Sequence, residues 1–327
     1  MKAAKPLLLL VHAAVFALAA PRSGADEKPV VEAGQPQRLG PGDHERKLTI
    51  DGRARSYLVH VPPGYDPQRA MPVVLILHGA MTNGLITVAF TGMNAKADTA
   101  GFIAVYPNGT GKREPFLFWN AGGLPPGVAP RLPDDVAFIR AALDDLATVV
   151  HVDPLRIHAT GISNGAMMCY KLAAELADRI ASIAPVAGTM IFPDPKPARP
   201  VAVLHFHGTD DKLVPFAGQK MRGPRGAGMQ SVEETVHAWC AIDGCPTEPI
   251  VTAEPDTAAD GTTVTRKTYG PGKDGTEVVL YEITGGGHTW PGQKTPVGFL
   301  GRTTLDISAN DLIWEFFQKH PFRSDGK

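Results

Sequence analysis

Five solid apolar runs recur between residues 72 and 204, spaced far enough apart to hold a helix between most of them, and nothing else in the chain limits its fold so strongly. They are Pro72–Leu77, Phe102–Tyr106, Ile157–Thr160, Ile183–Val186 and Val201–Leu204. A strand wetted on one face alternates apolar with polar residues; these do not, so they read as strands covered on both faces. Asp134–Val150 and Asn164–Leu176 carry apolar residues at helical spacing, and Asn310–Gln318 does so behind a Ser308 cap. Strands alternating with helices predict an α/β chain: a doubly wound, mostly parallel sheet with helices on both faces. Upstream, Lys47–Ile50 and Arg55–Val61 alternate around Asp51-Gly52, which predicts an antiparallel hairpin. Glu277–Ile283 reads as one further strand, and Glu254–Asp274 as a loop or an edge hairpin.

The ends of the chain read differently. Lys2 and Lys5 precede an apolar run from Leu7 to Ala20, too short for the roughly 20 residues that span a bilayer. Residues 1–25 are therefore expected to be a secretory signal, cleaved after Ala19 or Ala25, with export to the periplasm or beyond the cell. Cleavage after Ala25 removes Lys2, Lys5 and Arg22 and no acid, taking the formal charge from -1 to -4. Residues 26–43 are rich in Pro, Gly and charge and read as a flexible leader, so the catalytic domain is expected over 44–327. With no basic block, nucleic acid is not an expected partner, and after cleavage neither is a membrane. One chain is expected to act alone as a monomer. Three cysteines are too few for a disulfide scaffold. Cys240 and Cys245 end a helix expected over Ser231–Ala241, with Gly244 to turn the chain back, and an oxidising compartment would permit them to pair. Cys169 reads as a buried thiol on an apolar helix.

The chemistry centres on Gly161-Ile162-Ser163-Asn164-Gly165, which follows a strand and opens a helix. A serine at such a sharp turn is held out above the sheet, and the flanking glycines leave room where a Cβ would strike neighbouring strands. The alternative is that Ser163 only caps the helix. A serine hydroxyl needs a base to take its proton, and in a strand–elbow–helix setting the acid and then the histidine follow the serine. Asp211, in His207-Gly208-Thr209-Asp210-Asp211, is the expected acid, with Asp210 as runner-up, and His288, in Gly285-Gly286-Gly287-His288, the expected base. His78, His151 and His158 precede the serine, His237 lies on an amphipathic helix and His320 near the end, while His205 and His207 read as strand residues supporting the acid loop. Acyl transfer builds negative charge on a carbonyl oxygen, so two backbone donors are needed, Asn164 N–H and, from His78-Gly79-Ala80-Met81, Ala80 N–H. Trp119 and Trp290 are candidates to line an acyl pocket.

Together, His78-Gly79, Trp119–Gly123, Asp134-Asp135-Val136, Gly161–Met168, Ala184–Gly188 and Gly286–Gly292 resemble the poly(3-hydroxybutyrate) depolymerase and feruloyl esterase family of secreted carboxylesterases, in matching order from about Arg46 to Phe317. The resemblance implies an α/β-hydrolase fold, a Ser163–Asp211–His288 triad, no cofactor or metal, and ester substrates: feruloyl or acetyl side groups of plant polysaccharide, or short 3-hydroxyalkanoate esters. Polymer depolymerases append a linker and a binding module that do not follow here, which sets polyester hydrolysis second. Two rivals stand beside this expectation. His205-Phe206-His207 with Asp210 and Asp211 is similar to a His-x-His-x-Asp-His metal site, but Thr209 stands where that pattern needs Asp and Asp210 where it needs His. A non-catalytic module binding polysaccharide or polymer would not need every triad position filled.

Overall fold

Alternation along one strand decides the layering. In β3 (Met71–Leu77), Val73, Leu75 and Leu77 join one core cluster while Val74 and Ile76 join another. Successive side chains of a strand leave opposite faces, so this strand is covered on both. The computed structural model describes residues 38–123, 132–219, 228–295 and 297–323, all within one compact unit. Its sheet runs β1 (Gly42–Ile50), β2 (Arg53–Val61), β4 (Ile103–Pro107), β3, β5 (Val152–Ile162), β6 (Ser182–Val186), β7 (Ala202–Gly208), β10 (Val278–Thr284), β9 (Thr263–Tyr269), β8 (Ile250–Ala253). Pairing is parallel from β4 through β10 and antiparallel at both ends. This is the α/β-hydrolase architecture, mostly parallel with an N-terminal hairpin. The hairpin turns on Asp51 and Gly52, both at positive φ, as the Asp-Gly pair predicts.

Helices cover both faces. On one, α3 (Asp135–Val149), α4 (Asn164–Glu175) and α5 (Val232–Asp243) bury residues of the larger cluster; on the other lie α1 (Gly84–Thr91), α2 (Met93–Ala100) and α6 (Ala309–Lys319). Side-chain caps set the starts: Asp134 accepts from Ala137 N, Ser231 and Glu234 form a capping box, and Ser308 accepts from Asp311 N. One buried ion pair ties the layers together. Arg55 on β2 meets Asp135 at 2.6 Å, and the other Asp135 oxygen accepts from Asn120 N at 2.7 Å. No described helix is long and apolar enough to cross a membrane.

Part of the expected leader is structured. Leu39 N donates to Val149 O, Leu39 packs against the core and β1 starts at Gly42, so the end of the 26–43 leader belongs to the domain. The expected signal and residues 26–37 lie outside the described residues. The bridge anticipated between Cys240 and Cys245 is not formed: all three cysteines are free thiols, and these two are hydrogen-bonded to one another. The turn at Gly244 brings the sulfurs together, with Cys245 N donating to Cys240 O, but contact is not a bond. Cys169 is fully buried, which pushes its thiol well above the ordinary range.

Candidate active site

Ser163 follows β5 directly and has φ 59° and ψ -121°, a left-sided conformation that L residues avoid. Glycines make the turn possible. A Cβ on Gly161 would lie 2.7 Å from Leu77 O, and one on Gly188 only 2.4 Å from Ser163 O. Ser163 N donates to Val186 O on β6, and Ser163 O accepts from Met167 N in the first turn of α4. The hydroxyl makes no capping bond, so the reading of Ser163 as a mere helix cap fails. Among the described residues it makes no hydrogen bond at all.

Two further loops leave the carboxyl ends of β7 and β10. Asp211 follows β7, His288 follows β10, and His288 Nδ1 lies 2.7 Å from Asp211 Oδ2. Both are buried, at 4% and 5% exposure. The other carboxylate oxygen, Oδ1, accepts from Leu213 N at 2.8 Å and Val214 N at 2.9 Å, which leaves Oδ2 to the imidazole. Asp210 is exposed, so of the two candidate acids only Asp211 meets the histidine. The loops hold one another: Asp210 N donates to Gly286 O, Gly285 N to Thr209 Oγ1, and Thr209 N to Ile283 O. A Cβ on Gly208 would fall 2.2 Å from Gly286 O, which explains the glycine there. The carboxylate and the imidazole are thus joined, and among the described residues no hydrogen bond links that imidazole to the Ser163 hydroxyl.

After β3, the Gly79 carbonyl accepts from His78 Nδ1 at 2.7 Å and from Thr82 Oγ1 at 2.9 Å. Gly109 N donates to His78 Nε2 at 2.9 Å, so the ring proton sits on Nδ1. Burial pushes His78 down to about 4, keeping it neutral. Because a trans peptide is planar, pinning the Gly79 oxygen turns Ala80 N–H to the opposite side. Ala80 is exposed, and Gly79 is packed against Ser163, its added Cβ falling 3.5 Å from that of Ser163. Asn164 opens α4, and its side chain brackets Trp119, accepting from Trp119 N at 2.7 Å and donating to Trp119 O at 3.2 Å.

Neither tryptophan has the exposure of a pocket wall. Trp290 is fully buried and donates to Asn310 Oδ1 at 2.8 Å, inside the core beneath α6. Trp119 is 5% exposed, and its indole N–H donates to His78 O. Both tie loops to the core. Phe116 and Phe118, on the same segment as Trp119, are exposed, as is Phe299. Thr110 and Phe118 pair as an isolated bridge, so side chains alternate: Leu117 and Trp119 turn inward, Phe116 and Phe118 outward. A period of two within Phe116–Trp119 is the signal that separates them.

Two other histidine groupings bear on the chemistry. His205 and His207 have all four ring nitrogens engaged, by Tyr170, by each other and by Val214 O, so none is left for a metal. Among the described residues no group of three or more His, Cys, Asp or Glu is arranged to hold one. His158 Nδ1 meets Ser182 Oγ at 2.8 Å, but both are buried, the ring stacks on Phe317, and burial pushes His158 down to about 3. That pair is core.

Residues 55–198 match the family model described as "Esterase PHB depolymerase". Over 284 residues, 83% of this chain and 81% of the relative, the chain is 34% identical to the putative esterase NocK of Nocardia uniformis subsp. tsuyamanensis. The chain belongs to the esterase PHB depolymerase family. This esterase is a carboxylic ester hydrolase by that membership. It is also similar to feruloyl esterase B of Piromyces equi, 29% identical over 242 residues and spanning 72% of this chain but 42% of that protein. With poly(3-hydroxyalkanoate) depolymerase C of Paucimonas lemoignei it shares 33% identity over 132 residues, 39% of this chain and 30% of that one. Among solved structures, an acetyl xylan esterase from Aspergillus awamori superposes with a TM-score of 0.57 at 16% identity, covering 84% of the esterase and 99% of that chain, which speaks to the fold.

Proposed function

We propose that this esterase is an exported serine carboxylesterase acting through an acyl-enzyme, with Ser163 as nucleophile, His288 as base and Asp211 as the acid that orients it. The observation that carries this reading is the 2.7 Å bond from His288 Nδ1 to Asp211 Oδ2, at the same end of the sheet as the Ser163 elbow. His288 Nε2 takes the Ser163 proton as Oγ attacks the ester carbon, and Asp211 holds the Nδ1 proton. Negative charge on the carbonyl oxygen is met by Ala80 N–H and Asn164 N–H, the second favoured by the amino end of α4. The tetrahedral intermediate expels the alcohol, which leaves with the proton from His288. Water then attacks the acyl-enzyme with His288 again as base, and as the bond to Ser163 Oγ breaks His288 returns that proton to Oγ, releasing the acid and restoring the hydroxyl.

For the substrate we propose feruloyl or acetyl esters on plant polysaccharide, or short 3-hydroxyalkanoate esters, with the polymer as second choice. Phe116 and Phe118, exposed on the segment that Asn164 fastens beside the elbow, favour an aromatic or otherwise apolar acyl group. Removal of residues 1–25 on export is part of the same proposal, and the amino-terminal sequence of the secreted protein, expected at Asp26 or Ala20, checks it. The decisive experiment is Ser163→Ala: the protein remains folded and hydrolyses p-nitrophenyl acetate at background, and substantial residual turnover refutes the nucleophile. Comparing kcat/KM for methyl ferulate, p-nitrophenyl acetate and p-nitrophenyl butyrate, with release of hydroxybutyrate from polymer, identifies the acyl group.

A further inference from the structure

Behind the Asp211 loop lies a row of buried polar side chains that the reaction does not use. Tyr170 on α4, seven residues beyond Ser163, lies with its hydroxyl 2.7 Å from His205 Nδ1. His205 Nε2 is 3.0 Å from His207 Nδ1, and His207 Nε2 is 2.8 Å from Val214 O. The two imidazoles are stacked 4° from parallel, and Tyr170, His205 and His207 are buried at 0–1% exposure.

A carbonyl oxygen only accepts, and this fixes every proton in the row. His207 Nε2 must carry hydrogen to donate to Val214 O. In a neutral ring its Nδ1 is then bare and accepts from His205 Nε2–H; His205 Nδ1 is bare in turn and accepts from the Tyr170 hydroxyl. Burial pushes His205 well down and lowers His207 too, in keeping with neutral rings. The groups around the row do not compete. Glu282, in register with His207 on β10, is paired with Lys267; the thiols of Cys169 and Cys240 lie near Tyr170; and Phe216 meets the His207 ring edge-on.

The row ends on the acid. Val214 accepts the row at its oxygen and donates from its nitrogen to Asp211 Oδ1. His207 Nε2 also lies 3.5 Å from Asp211 Oδ2, the oxygen bound to His288. A charged His207 would pull at that oxygen; a neutral ring, its one proton committed to Val214 O, does not. We propose that Tyr170, His205 and His207 are positioning residues, a one-way hydrogen-bond chain from the nucleophile's helix to the acid loop that holds Asp211 Oδ2 for His288 alone. This rests on the triad reading above.

The test uses the whole mature protein with p-nitrophenyl acetate. In 15N NMR spectra of the wild type, both His205 and His207 are expected as neutral rings protonated on Nε2 from about pH 6 to about pH 9. A bare Nε2 or an imidazolium at His207 overturns the proposal, whether or not any variant folds. His207→Phe is expected to lower kcat about 100-fold, the usual cost of a displaced catalytic group, with KM within about threefold. His207→Gln, which offers both a donor and an acceptor, is expected to recover most of that loss; a folded His207→Phe that turns over as fast as His207→Gln overturns the positioning role. Asp211→Asn and Ser163→Ala separate the two failures. If they turn over like wild type, the triad reading falls and takes the proposal with it; if they are inactive while His207→Phe is fully active, the positioning chain alone is refuted.

Discussion

Replacing Gly165 by alanine is expected to damage this esterase through a collision, against the ordinary preference of a helix. Gly165 lies in the first turn of α4 with no left-handed backbone to protect, so the methyl by itself would add about 1 kcal/mol of helix propensity. Its Cβ, however, would stand 2.2 Å from Leu77 O and 2.6 Å from His78 O. Ordinary contact begins at 3.4 Å, so the overlap exceeds an ångström, and the obstacle is backbone that cannot rotate away. Overpacking costs about 1–3 kcal/mol, and a rigid obstacle puts this site at the upper end, leaving a net loss near ~2 kcal/mol. The obstacle also leads directly into Gly79 and Ala80. Displacing Leu77 and His78 moves Ala80 N–H, and the loss of such a donor lowers kcat by about 100- to 1,000-fold. Gly64 is the control, because a Cβ there meets nothing within 4 Å. Thermal denaturation and p-nitrophenyl acetate kinetics on both alanine variants are the assay. A Gly165→Ala protein with wild-type stability and kcat refutes the close-approach argument and the donor role that rests on it.

Asp135→Ala strands the buried Arg55 guanidinium and the Asn120 N–H, and urea denaturation is expected to show a loss of about 3–5 kcal/mol. Since burial is the largest influence on both partners, raising Asp135 and lowering Arg55, Arg55→Met/Asp135→Leu is expected to lose less than the single change. His60 sits between Asp43 at 2.6 Å and Asp98 at 2.8 Å; burial lowers its pKa, but bonds to Asp98 and Asp43 outweigh that and leave it raised. The pair's contribution is therefore full below the unfolded value of 6.5 and lost as pH rises through the raised folded value. His60→Gln should accordingly lower thermal stability by about 0.5–1 kcal/mol in acid and by nothing resolvable in alkali; a gap that widens with pH contradicts this. Trp290→Phe is expected to cost about 1–3 kcal/mol by stranding Asn310 Oδ1 while leaving KM unchanged, whereas Phe118→Ala raises KM and leaves stability within about 0.5 kcal/mol. The opposite pattern would return Trp290 to the pocket.

What the sequence makes legible is local or periodic. The continuous apolar runs announce strands covered on both faces, and Asp134, Ser231 and Ser308 mark helix starts because a cap needs a particular side chain at a particular place. The elbow is legible for the same reason: Gly161 and Gly165 are demanded by atoms a few ångströms away. The first two helices are not. α1 is Gly-Leu-Ile-Thr-Val-Ala-Phe-Thr, with β-branched residues and no polar stripe of helical period, so its pattern does not distinguish it from a strand. That β7 carries His205 and His207 is read from the sequence, but the Tyr170 hydroxyl that reaches His205 from α4 is not, because it comes from 35 residues away. The fates of Trp119 and Trp290 are likewise tertiary: an indole next to a catalytic loop is lining or core according to what its N–H meets, here His78 O and Asn310 Oδ1.

Histidine shows why the site is more than an inventory of reactive residues. The chain has eleven, and proximity to the sheet's carboxyl end does not separate the proposed base from the rest. Hydrogen-bond partners do. His60 touches carboxylates on both nitrogens, which favours its charged form and leaves neither nitrogen free for a substrate. His78 spends one nitrogen on Gly109 N–H and the other on Gly79 O, so it is neutral and fully occupied. His205 and His207 occupy one another. Among the described residues His288 alone combines a carboxylate on Nδ1 with an Nε2 that accepts from no protein donor, on a loop at the end of the sheet where Ser163 projects. A general base needs that combination: one nitrogen fixed by an anion that stabilises the imidazolium, the other free to receive the proton. Under the proposed mechanism His60, His78, His205 and His207 do not compete with His288, because both ring nitrogens of each are already engaged by other partners.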